Sequence, residues 1–139
     1  MGVLGGAFDP PHLGHVALAR GGLQRFALER LLVRVVAEPG HRTVTAPAEA
    51  RLRLAVLAFE VVAEAEVALD PHPRTVDSLA ALGLSDPVFL VGADEFASFA
   101  TWKEHDRVLD LARLGVATRP GYPRERLEEP EERKERHGA

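Results

Sequence analysis

The chain has 139 residues, 46% of them hydrophobic and 27% charged, with a formal net charge of −4 and no cysteine. That is enough chain for one domain with a real core. It excludes disulfides, thiol catalysis, a membrane-length apolar run and nucleic-acid binding through a broadly basic surface. No signal-peptide pattern is present, so a reducing, cytoplasmic setting is expected.

Val3-Leu4 reads as the end of a buried strand. The string Gly5-Gly6-Ala7-Phe8-Asp9-Pro10-Pro11-His12-Leu13-Gly14-His15 follows it. Gly5 and Gly6 let the backbone turn tightly and approach a ligand, because neither carries a Cβ. Pro10 and Pro11 suit the approach to a helix or its first turn. The helix is expected from Leu13 to Phe26, with Val16, Leu18, Ala19, Leu23 and Phe26 near helical spacing. His12 and His15 are three apart and share a face of its first turn. Free N–H groups and the helix dipole favour anions there, so the string is suited to a polyphosphate. Zinc is the rival, but two histidines without a third ligand make a poor zinc site.

The remaining elements alternate. Leu31–Val36 is a strand, Pro47–Val62 a helix, Glu66–Leu69 a strand and Thr75–Leu82 a helix ended by Gly83. Val88–Val91 is a continuous apolar run that suits a central parallel strand. A helix covers about Lys103–Ala112, and Leu114–Thr118 is the last strand. The fold class is therefore α/β: a Rossmann-like, doubly wound, mainly parallel sheet of about five strands with helices on both faces. Residues 1–122 form the domain. Residues 123–139, dense in alternating charges, are expected to be a solvated helix or tail.

The other chemistry-bearing residues fall at the carboxyl ends of strands, where ligands of such sheets bind. Pro39-Gly40-His41-Arg42 is a turn with two cations. Thr75 is a candidate helix N-cap, with Asp77 and Ser78 in the first turn. Gly92-Ala93-Asp94 is either a turn and N-cap or a ligand contact. Trp102, the only tryptophan, is either core or a platform at a pocket rim. Arg119 of Arg119-Pro120-Gly121-Tyr122 presents a planar fork suited to phosphate.

In collinear order from Val3 to Tyr122, these segments resemble the nucleotidyltransferases that carry an H-x-G-H motif. Within them the chain is most similar to the bacterial nicotinate mononucleotide adenylyltransferases. The resemblance implies adenylyl transfer from ATP, with Mg²⁺ carried on the triphosphate, to nicotinate mononucleotide. It makes His12 and His15 catalytic. It assigns Gly5, Gly6, Ala7, Phe8, His41, Arg42, Gly92, Asp94 and Arg119 to ATP and phosphates, and Arg74, Thr75, Trp102 and Lys103 to the acceptor. No protein-held metal, nucleic acid or membrane partner is implied, and self-association is left open.

Departures from the pattern are specific. Val35-Val36-Ala37-Glu38 stands before the P-P-H-[KR]-like loop, and Glu38 is expected to point away from phosphates. Pro73-Arg74 replaces the Ser-Tyr of S-Y-T-x-[DE]-T-L, which opens the alternative of another phosphorylated acceptor. The family's second phosphate signature, [SI]-S-[ST]-x-[IL]-R, does not occur in these residues, which opens a further alternative: a nucleotide-binding domain with little activity.

Overall fold

The computed structural model describes residues 1–40 and 43–117 and the backbone of 127–128. Five parallel strands make the sheet: β1 (Gly2–Gly6), β2 (Leu31–Val36), β3 (Ala65–Asp70), β4 (Val88–Gly92) and β5 (Arg113–Ala117). They lie in the order β3-β2-β1-β4-β5, and the two-residue β6 (Leu127–Glu128) joins the outside of β5 antiparallel. The helices are α1 (Leu13–Arg25), α2 (Ala48–Ala58), α3 (Thr75–Leu82), α4 (Ala93–Phe96) and α5 (His105–Leu111).

Strand alternation divides the apolar residues between two layers. Leu4, Val33, Val35 and Leu90 pack under α1 and α2, where Ala19 and Ala55 are buried. Val3, Phe89, Val91 and Leu114 pack under α3 and α5, against Val76, Leu79, Val108 and Leu109. Strand order reverses at β1, which pairs with β2 on one side and β4 on the other. A crevice opens at the carboxyl ends of strands at such a switch point. This is the doubly wound architecture expected.

Several boundaries differ from the expectation. The second helix closes at Ala58 and tightens into a 3₁₀ turn, Phe59–Val61. The last begins at His105 rather than Lys103, because Glu104 takes a left-handed conformation at φ 45° that interrupts any helix running into it. Gly83 ends α3 at φ 59°, the left-handed cap expected of it. Of the segment expected to be a helix or tail, Leu127–Glu128 form β6, and the rest lies outside the described residues.

Candidate active site

The first loop and α1 carry a self-contained arrangement of two imidazoles. His12 is the N-cap of α1. Its Nδ1 accepts from the Gly14 N–H at 3.1 Å, and its own N–H donates to His15 Nδ1 at 3.0 Å. Both Nδ1 atoms are thus acceptors, which puts the proton of each neutral ring on Nε2. The rings stack with centroids 3.9 Å apart. Two Nε2–H donors therefore stand side by side at a helix N-terminus, where anions are favoured.

Gly14 belongs to this device. A Cβ there would sit 2.9 Å from His12 Cε1 and 3.0 Å from its Nδ1. A side chain would displace the ring that caps the helix. Nothing in the sequence marks Gly14 for this, since the need arises only once the His12 ring folds back over the first turn.

Burial, and then the neighbouring His12, push the His15 imidazole down from 6.5 to about 4. The ring is neutral at physiological pH and acts as a hydrogen-bond donor rather than a fixed cation. The folded-state value lies below the unfolded one, so the unfolded chain takes up the proton first. The stability His15 contributes is therefore complete above pH 6.5 and is lost as pH falls from 6.5 through about 4. Urea midpoints across that range are expected to decline with acidification, with a shallower slope in His15→Gln.

Phe8 was expected to help hold ATP. Its side chain is only 2% exposed. The ring lies 4.6 Å from that of His15 and meets Phe59 edge-on at 5.9 Å. Apolar burial wins for this ring, so Phe8 supports His15 from beneath and offers a ligand only its backbone.

Two anchors hold the loop. Asp9 accepts from the backbone N–H groups of Thr45 and Ala46, and the Thr45 bond foremost keeps its carboxyl below the usual carboxylate range. Arg51, on α2, is 1% exposed. It donates to the carbonyls of Ala7 (2.9 Å), Val36 (2.8 Å), Ala37 (2.6 Å) and Ala46 (2.8 Å). One guanidinium thus ties the chain after β1, the chain after β2 and the approach to α2. Arg51 is not among the residues expected from sequence. The signal was its position four residues before Ala55, on the helix's buried face.

A cleft of about 740 Å³ opens at the carboxyl ends of β1–β4. It brings together Gly5, Gly6 and Ala7 from the first loop, Arg74 and Thr75 from the start of α3, and Asp94, Trp102 and Lys103 beyond β4, while His12, His15 and Phe8 are not among its lining residues. Gly92 ends β4 beside it, and a Cβ there would meet nothing within 4 Å. Glu38 is exposed and does not line the cleft. His41, Arg42 and Arg119 lie outside the described residues.

Thr75 is not the N-cap of α3 but its first residue. Arg74 occupies the cap, with no side-chain bond. Ser78 donates to Asp70 instead of capping the helix, and Asp70 also accepts from the His72 N–H and Nδ1, each at 2.9 Å. Asp70, His72 and Ser78 all line the cleft and were missed in sequence, because residues eight apart meet only when β3 and α3 fold together.

Trp102 is half-buried. It contacts Phe99 at 5.0 Å and Phe89 at 6.3 Å, both edge-on, and its Nε1 donates to Ser98 Oγ at 3.3 Å. It is held as core is held, yet it lines the cleft. Lys103 pairs with Asp77 at 3.1 Å. The Arg74 guanidinium lies against the loop after β2: a Cβ on Gly40 would come 3.1 Å from its Nη1. Glycine in place of the second proline of the P-P-H-[KR] loop and arginine in place of tyrosine therefore meet in space, and the small residue makes room for the large one.

Stacked donors at a helix N-terminus, and a glycine turn lining an aromatic-walled cleft at the switch point, suit a phosphorylated ligand with a flat ring. The chain belongs to the cytidylyltransferase-like family, whose pattern matches residues 3–135. It is 39% identical over 134 residues to a Thermus thermophilus protein named probable nicotinate-nucleotide adenylyltransferase, covering 90% of this chain and 72% of that one. A Solibacter usitatus protein of the same name is 38% identical over 133 residues, covering 88% and 71%. A crystal structure from Vibrio parahaemolyticus, reported as a nicotinate-nucleotide adenylyltransferase, superposes with a TM-score of 0.66 at 16% identity. It covers 86% of this chain and 73% of that one, and it bears on the fold alone. Among the described residues no helix is long and apolar enough to cross a membrane.

Proposed function

We propose that the chain transfers the adenylyl group of ATP to nicotinate mononucleotide, giving deamido-NAD and pyrophosphate. The relatives' names supply the reaction. The observation that carries it in this chain is the pair of Nε2–H donors on the segment that begins with Gly5, Gly6 and Ala7, which themselves line a cleft walled by Trp102 and Phe89. One end suits phosphates and the other a flat ring.

The acceptor's phosphate oxygen attacks the α-phosphorus of ATP, one P–O bond forms, and the bond to the departing pyrophosphate breaks. No covalent enzyme intermediate is needed. Catalysis then consists of positioning and of stabilising negative charge as it develops. His15 and His12 donate to phosphate oxygens from a ready-made geometry that costs no reorganisation. The Gly5–Ala7 turn admits the triphosphate closely, with Mg²⁺ carried on ATP as part of the substrate. His41, Arg42 and Arg119 add positive charge, and Asp94 takes a ribose hydroxyl. Thr75 and Trp102 hold the acceptor ring. The setting is cytoplasmic, where ATP is supplied.

Trp102 is the chain's only tryptophan, so its fluorescence reports on one place. Titration with nicotinate mononucleotide is expected to change that emission. Trp102→Ala is expected to raise the acceptor's KM on the order of tenfold, the usual worth of one aromatic stack, with a smaller effect on the KM for ATP. Unchanged emission, with both KM values unmoved, would remove Trp102 from the acceptor site.

A further inference from the structure

Arg34 is a cleft residue whose charge has no ion-pair partner among the described residues. Leu31, Val33 and Val35 of β2 are buried beneath α1 and α2. Alternation therefore turns Arg34 to the opposite layer, toward the cleft it lines. Its neighbours in register are Gly5 of β1 and Ala68 of β3, both small. Its Nε is shut off from solvent and has no hydrogen-bond partner. Among the described residues it forms no ion pair either. Asp70, the buried carboxylate of the cleft, is taken up by His72 and Ser78. Asp77 is taken up by Lys103.

A guanidinium with one nitrogen sealed from water and unbonded, and with no ion pair among the described residues, gains from an anion that reaches it. Its level in the cleft identifies that anion. The Phe89 ring lies 3.7 Å from where a Gly5 Cβ would be, and Trp102 meets that ring edge-on. Arg34 thus shares a level with the aromatic wall, where a flat ring is held. Its fork matches the two oxygens of a planar carboxylate.

We propose that Arg34 binds the carboxylate on the acceptor's pyridine ring and so selects the acid over the amide. This rests on the adenylyl-transfer reading above. A carboxamide, neutral and offering one acceptor oxygen, leaves the guanidinium unneutralised.

The test compares kcat/KM for nicotinate and nicotinamide mononucleotides in the wild type, Arg34→Gln and Arg34→Lys, with thermal melting of each. In Arg34→Gln the value for the nicotinate compound is expected to fall on the order of 10- to 100-fold, through KM, while that for the nicotinamide compound stays within about threefold. Arg34→Lys, which keeps the charge and the strand but loses the fork, is expected to fall between the two. Equal losses on both acceptors in the Lys variant, or an unchanged preference in either variant, overturn the assignment. A wild type that turns over neither mononucleotide removes the adenylyl-transfer reading, and this proposal with it.

Discussion

His15→Ala is expected to lower turnover at least a hundredfold. One preorganised donor aimed at developing charge is typically worth ~3 kcal/mol of barrier. His15 has the attributes of such a donor. Its Nδ1 is occupied by the His12 N–H, which commits Nε2 to donating. Its ring is braced between His12 and Phe8. Burial keeps it neutral, so the donor does not switch on and off near physiological pH. The alanine variant also loses half of the reciprocal cap, which costs about 1 kcal/mol of stability and confounds the reading. His15→Glu separates the two effects, because an ionised glutamate at this position can accept the N-cap N–H in the usual capping box but has no N–H to donate. Its melting temperature is expected near wild type and its turnover near that of alanine. Single-turnover rates with saturating ATP and acceptor are the measurement. A near wild-type rate in His15→Ala would remove this histidine from the chemistry.

Arg51→Met is expected to destabilise the fold by about 3 kcal/mol, as carbonyls lose their partner at ~1–3 kcal/mol for each one kept from water. Methionine fills much of the space, so the loss is of hydrogen bonds and charge rather than volume. The carbonyls of Ala7, Val36, Ala37 and Ala46 all depend on this one side chain. Urea unfolding reads the effect as a lower midpoint at unchanged slope. Turnover is expected to fall as well, since the Ala7 carbonyl anchors the turn that receives phosphates. Arg51→Lys is expected to rescue little, because an ammonium on one stem cannot serve carbonyls on three segments at once. A midpoint close to wild type in the methionine variant would mean that water satisfies those carbonyls.

The fold could be read from the chain because its signals are local: β-branched runs, helical spacing and a glycine at the left-handed end of α3. The histidine pair could be read for the same reason, since a separation of three is a face of a helix. Their fixed tautomers could not, because these depend on where two backbone N–H groups point. Arg51 and Arg34 each left a trace, one cation on an apolar helix face and one at an alternate position of an apolar strand. Neither trace says which carbonyls or which cleft the side chain meets. Asp70, His72 and Ser78 were invisible for a related reason: a contact between β3 and α3 exists only after the crossover folds. The burial of the Phe8 ring could not be read, because its place in the motif says nothing about which way the ring turns.

The proposed reaction joins ATP to a pyridine mononucleotide. Incubating it with ATP, Mg²⁺ and nicotinate mononucleotide, and separating the products, tests this directly. Pyrophosphate and deamido-NAD are expected to form in equal amounts, with neither formed when the mononucleotide is omitted. Pyrophosphate released with some other phosphorylated acceptor and none with nicotinate mononucleotide would contradict it, as would ATP binding without turnover on any acceptor.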